Sequence, residues 1–270
     1  MPRFWHPLAA FIVAIFSLNT FTLAEPITPS QPIALFNGQN LDGWYTWLQD
    51  TKREDPRKVF TVHDGLLHIS GDGLGCITTT ADYRDYRLVA EFKWGPRVWG
   101  ARTEKTKDTG ILVHSFGNDG AYNGIWMRSI EAQVIQGGLG DFVVVAATKP
   151  EPNDPPLSIT CEIKLDRDGE KVWHAGGERV TLSRGRVNWF GRDPDWKDVL
   201  GFRGKDDLEK PDGEWNRMEV ICQGNTITNI VNGTVVNRAV DCTPQAGKIQ
   251  IQSELAEVFY RKIELLPLTP

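Results

Sequence analysis

Apolar residues recur along this chain at every second position, in short runs separated by turn signals. "YRLVAEFKW" sets Tyr86, Leu88, Ala90, Phe92 and Trp94 against Arg87, Val89, Glu91 and Lys93. A period of two is that of a β-strand with two unlike faces. "SIEAQVI" repeats it, with Ile130, Ala132 and Val134 on one face and Ser129, Glu131 and Gln133 on the other. "KIQIQSE" places Ile249 and Ile251 opposite Gln250, Gln252 and Glu254. "VFTVHDGLLHIS" holds Asp64-Gly65 between two strands, a type I′ hairpin dipeptide. "WNRMEVICQGNTITNIVNGTVVNRAV" reads as three strands turned at Gln223-Gly224-Asn225 and Asn232-Gly233. No long stretch carries apolar residues at helical spacing. Strands alone, at this spacing, predict an all-β fold, an antiparallel two-sheet jelly-roll sandwich.

Two segments break the rhythm. Arg97 to Asp108 is charged and lies between strands, and His174 to Gly213 is long, polar and rich in Gly, Asp and Trp. A loop of that length inside a compact domain is expected to carry function. Ahead of the β pattern, Arg3, the apolar "PLAAFIVAIFSL" and the small-residue end "TLA" read as a signal peptide over 1–24. Its apolar run is short for a bilayer span. The reading is thus an exported protein, periplasmic or extracellular. One domain spans 31–268, with no membrane span in the mature chain.

A net charge of −5 argues against a nucleic-acid partner. Ten Trp and 26 Gly stand out, and a Trp ring suits a sugar face as well as a core. Cys76, Cys161, Cys222 and Cys242 show no zinc-ligand spacing. In an oxidising compartment they allow up to two disulfides, with Cys222 and Cys242 flanking a predicted hairpin. The pairing stays open.

The polar strand faces carry the candidate chemistry. Glu131 with Gln133, and Gln252 with Glu254, would line a carbohydrate cleft on a concave face, or form only a solvated surface on a convex one. His114 ends "GILVH" beside a Gly-rich turn and, at an ordinary pKa of about 6.5, could act as acid or base. Arg128 and Trp126 adjoin this group, and Asp141 follows the turn "GGLG". The partner two residues from Glu131 is an amide, which cannot serve as the second carboxyl of an ordinary glycosidase pair. No motif in the sequence fixes a cofactor. A divalent cation such as calcium could sit on Glu254 and Asp141, although no EF-hand-like loop is present.

"ALFNGQNLDGW", "DYRLVAEFKW", "DTGILVH", "RSIEAQVIQGGLGDF", "GEWNRMEVICQGNTITNIVNGTVVNRA" and "GKIQIQSELAEVFYRKIELLPL" occur in an order that resembles the family long called DUF1080, the 3-keto-disaccharide hydrolase domain. The resemblance implies a concanavalin A-like lectin/glucanase sandwich. It also implies cleavage of glycosides whose sugar is oxidised at C3, by base-assisted elimination and hydration. Carried over, it implies Glu131 or His114 as base or acid, and Glu254 as second acid or metal ligand. Gln133 and Arg128 would orient the sugar, with Trp126, Gln252 and Asp141 as further contacts. Met127 stands where the family tends to carry Pro, and Gly191 to Gly213 is an insert. The rival reading is a non-catalytic carbohydrate-binding module. A structural or adhesive domain is a third.

Overall fold

The computed structural model describes residues 1–2, 24–149 and 154–268. All but the ends of the leader read at 1–24 lies outside them. Eighteen strands and one 3₁₀ turn, Gly100–Thr103, make up the regular structure of the described residues. All strand pairings within the two sheets are antiparallel. The chain is therefore the two-sheet sandwich that the alternation predicts.

The larger sheet has eleven strands and is built around Tyr86–Val98, flanked by Asn216–Gln223 and Ala256–Pro267. The smaller has seven, in the order Gly185–Val187, Phe142–Val145, Arg128–Ile135, Asp108–Phe116, Lys248–Glu254, Leu74–Thr79 and Trp44–Leu48. Ile111, Ile130, Ala132, Val134, Ile249 and Ile251 of the smaller sheet meet Leu88, Phe92, Val220 and Tyr260 of the larger in one core. Each Ile, Leu, Val or Phe among them, fully buried, contributes about 1.5–3 kcal/mol relative to exposure. The hairpin dipeptides behave as the residues demand. Asp64 and Gly65 take φ of 51° and 76°, and Asn232 and Gly233 take 47° and 88°, the left-handed pair of a I′ turn.

The structure departs from the sequence reading in two places. Part of the polar stretch after His174 is not loop, since Glu178–Leu182 and Gly185–Val187 are strands. Short, charged edge strands of this kind lack the clear alternation that marks a half-buried one. The four cysteines are free and buried. Cys161, Cys222 and Cys242 pack as apolar residues in the core, and Cys76 lies on the other face of the smaller sheet.

The remainder, from Asn188 to Trp215, folds back over the sheet end. Asp212 pairs with Lys107 Nζ at 2.6 Å, Trp196 Nε1 donates to the Gln136 carbonyl at 2.9 Å, and Trp94 Nε1 donates to Glu209. These anchors convert a polar segment into one wall of a cleft.

Candidate active site

The face of the smaller sheet turned away from the core floors a cleft of about 620 Å³. Parity places the floor residues. Ile130, Ala132 and Val134 enter the core, so Glu131, Gln133 and Ile135 project into the cleft. The neighbouring strand pairs Leu112 with Glu131, Gly110 with Gln133 and Asp108 with Ile135, which brings Asp108 to the same face. Gln252 and Glu254 arrive from Lys248–Glu254, two strands away from Glu131.

Gly110 makes the centre of this site possible. A Cβ at that position would overlap both Oε1 of Glu131 and Oε1 of Gln252. The absent side chain is the space in which the acid and the amide meet. Both oxygens are buried and have no hydrogen-bond partner in the protein, as groups reserved for a ligand would be.

Glu131 is 3% exposed. Burial pushes its carboxyl up to about 8, and the nearby charge of Asp108 adds to the shift. Burial also raises Glu254 to about 7, against the pull of the Arg102 guanidinium 3.1 Å away. Asp108 is held well above the ordinary carboxyl range by burial and by Glu254, although it too bonds Arg102. Arg102 in turn meets Asp198 of the folded-back segment at 3.4 Å. Opposite lie Arg184, Arg186 and Arg192. Arg186 pairs with Val143 in the backbone register and Val143 with Glu131, so Arg186 lies two strands from Glu131. The rings of Tyr122 and Trp126, stacked at 5.8 Å, form an aromatic wall, and Trp196 lies in the folded-back segment.

The cleft therefore gathers Glu131, Gln133, Gln252, Glu254 and Trp126. Three other candidates lie elsewhere. His114 is 1% exposed at a bulge, with φ of 52°. The register shifts between Val113 and Phe116, and the imidazole bonds the Pro244 carbonyl at 2.9 Å and meets the Tyr86 ring edge-on. Burial lowers it to about 4, so it stays neutral near pH 7. Arg128 shares the parity of Ile130 rather than Glu131. Its guanidinium covers the Phe116 ring at 4.5 Å and pairs with Asp154 at 3.0 Å. Asp141 has no exposed side-chain surface and bonds Trp189 N, Arg192 and Arg186 from beneath. It braces two arginines of the cleft. Glu254 and Asp141, the acids suited by sequence to a hard cation, are thus both engaged with arginine. Among the described residues no group of three or more His, Cys, Asp or Glu is disposed to hold a metal.

Sequence reasoning passes over Asp108, Arg102, Arg186, Arg192, Trp196, Asp198 and Tyr122. The alternation of "DTGILVH" already contained Asp108, on the face of Gly110. The others come from irregular or edge segments, whose side-chain directions alternation does not define.

A β-sandwich with amides, acids and aromatic rings along one sheet face is the make-up of a carbohydrate-handling protein. The chain belongs to the 3-keto-alpha-glucoside-1,2-lyase-like domain family, whose model matches residues 31–266. No curated protein matches it. Among solved structures it is similar to two proteins of Parabacteroides distasonis assigned as glycosyl hydrolases. One has 18% identity and a TM-score of 0.48, over 88% of this chain and 100% of that one. The other has 17% identity and a TM-score of 0.49, over 88% and 94%. A carbohydrate-binding module of Bacillus subtilis has 10% identity and a TM-score of 0.46, over 82% and 94%. No helix among the described residues is long and apolar enough to cross a membrane.

Proposed function

We propose that the protein, acting after export, cleaves the glycosidic bond of 3-keto-glycosides by elimination across C1 and C2, followed by hydration. The supporting observation is the order of groups across the sheet. Arg102, Asp108 and Glu254 lie at one end, Glu131 in the middle, and Arg186 with Arg184 at the other. The family to which the chain belongs points to the same substrate class.

A 3-keto group acidifies the C2 proton, so one base, one acid and one oxyanion partner suffice. Of the two carboxyls, Glu254 ionises first, near 7, while Glu131 holds its proton to about 8. The Arg102 guanidinium 3.1 Å from Glu254 favours its ionised form and makes it the base, and Glu131, buried without a cation at that distance, is the acid. Glu254 takes the C2 proton, and the C2–H electron pair moves into an enolate whose O3 faces the Arg102 guanidinium. The enolate collapses, the C1–O bond breaks, and Glu131 protonates the departing oxygen. The unsaturated 3-keto sugar then takes up water: Glu131, now ionised, accepts a proton from the water attacking C1, and Glu254 returns its proton to C2. Both carboxyls end as they began. Gln133 and Gln252 hold sugar hydroxyls, and Trp126 with Tyr122 offers a ring face.

The test is incubation with a 3-keto-disaccharide and with its unoxidised parent. The expected outcome is release of 3-keto sugar from the first alone. Binding of both without turnover would identify a carbohydrate-binding module instead.

A further inference from the structure

The half of the cleft beyond Glu131 is not needed for proton transfer, yet it is the more cationic half. Arg184 and Arg186 flank Gly185 on the edge strand, and both line the cleft. Arg192 lies below them, stacked 4.0 Å over the Trp196 ring. The cleft runs on into a smaller hollow of about 190 Å³ that shares Arg186 and adds Lys171. Two carboxylates, Glu170 and Asp141, lie among these four cations, Arg184, Arg186, Arg192 and Lys171, while Asp108, Glu131 and Glu254 act on Arg186 from across the cleft.

The two carboxylates offset only part of the charge of the rim. Asp141 lies wholly beneath the floor and is divided between Arg192 at 3.0 Å and Arg186 at 3.3 Å. Glu170 accepts a hydrogen bond from Asn188 Nδ2 at 2.7 Å. Arg184 bonds a backbone carbonyl, that of Ala147, at 2.9 Å, and pairs with no carboxylate among the described residues. The Arg192 side chain is 3% exposed, and its Nε has no hydrogen-bond partner in the protein. Arg186 keeps a 34% exposed side chain and donors to spare. At the opposite end, by contrast, Arg102 is matched by Asp108, Glu254 and Asp198.

We propose that this end of the cleft is an anion-recognising subsite, and that the sugar departing from C1 is acidic, carrying a carboxylate or a sulfate that Arg184 and Arg186 bind. The proposal rests on the function proposed above. Val143 separates Glu131 from Arg186 in register, so two strand spacings, about 9.6 Å, lie between their backbones. Both side chains reach inward over that span. An anion on the leaving sugar can thus meet the guanidinium while the glycosidic oxygen meets Glu131. A planar carboxylate fits the guanidinium fork in two-point contact.

Three 3-keto-glucosyl disaccharides test this: one with glucose as the leaving sugar, one with glucuronate and one with glucose 6-sulfate. At low salt kcat/KM is expected to be at least about tenfold higher for an acidic substrate, since charge-assisted bonds in a partly desolvated site are worth that much. The ratio should shrink with added salt and narrow in Arg184→Gln. The favoured acidic arm identifies carboxylate or sulfate as the anion. Equal kcat/KM for all three, or a ratio indifferent to both salt and Arg184→Gln, overturns the proposal. If none of the three is cleaved, the catalytic reading fails, and calorimetric binding of the same compounds still decides the subsite. Tighter binding of an acidic disaccharide supports it, and equal binding refutes it.

Discussion

Replacing Glu131 by Gln removes the carboxyl around which the cleft is built while keeping its shape. The linkage between protonation and stability gives the change a sign. The folded protein holds the Glu131 proton up to about 8, whereas the ordinary value is 4.5. Its contribution to stability is fully present below pH 4.5 and is lost as pH rises from there through about 8. At about 1.36 kcal/mol per tenfold change in acidity, that span corresponds to a ceiling of about 5 kcal/mol. Glu131 is 3% exposed, so solvent screening takes little from this figure. Relaxation around a buried ion takes more, and a gain of about 2 kcal/mol is the least a carboxyl in this setting should show. Glu131→Gln should therefore be close to wild type in stability at pH 4 and more stable at pH 8.5, while turnover falls about 10²- to 10⁴-fold. Urea denaturation across this pH range measures the first effect and initial rates the second. Parallel stability–pH curves for the two proteins, or undiminished turnover, would refute the reasoning.

Other variants probe neighbouring links of the same account. Gly110→Ala pushes a methyl against Glu131 Oε1 and Gln252 Oε1, the ends of flexible side chains. It should cost about 1–3 kcal/mol in a denaturation curve yet lower kcat by more than tenfold, whereas unchanged rates would remove Gly110 from the site. The pH–rate profile should be bell-shaped, with limbs near 7 from Glu254 and near 8 from Glu131. Arg102→Gln removes the cation that lowers Glu254, so the acidic limb should move to higher pH, and a limb that stays in place contradicts the pairing. Ile130→Ala, on the core side of the same strand, should cost about 2–5 kcal/mol and leave the pH profile where it is, as a control for purely structural damage.

Much of this architecture was legible in the alternation of residues. Strand parity separated Ile130, Ala132 and Val134 from Glu131 and Gln133, and Ile249 and Ile251 from Gln252 and Glu254, as the two sheet faces do. The same rule assigns Arg128 to the core face, and there it lies, against Phe116 rather than a sugar. His114 escaped the rule for a different reason. A bulge after Val113 breaks the period, and the positive φ turns the imidazole toward Tyr86 between the sheets. The cationic wall was hidden because its members belong to a short edge strand and to irregular backbone. Arg102, Arg192 and Asp198 have no sequence period, and they are positioned by tertiary bonds such as those of Asp198 to Thr106 and Lys105. The absent Cβ of Gly110 could be appreciated only once Glu131 and Gln252 were seen to converge on it.

The central claim is that C2 loses its proton before the glycosidic bond breaks. It is tested most directly by running the cleavage of a 3-keto-disaccharide in D₂O and reading the early product by NMR. Glu254 carries the abstracted hydrogen as an exchangeable carboxyl proton until water has added to C1, and exchange with the solvent in that interval lets it return deuterium to carbon. The account predicts a 3-keto sugar carrying deuterium at C2 from the first turnovers, and no cleavage of the unoxidised parent. Product that keeps its C2 hydrogen together with an unchanged rate for substrate deuterated at C2, or equal cleavage of the parent, contradicts it.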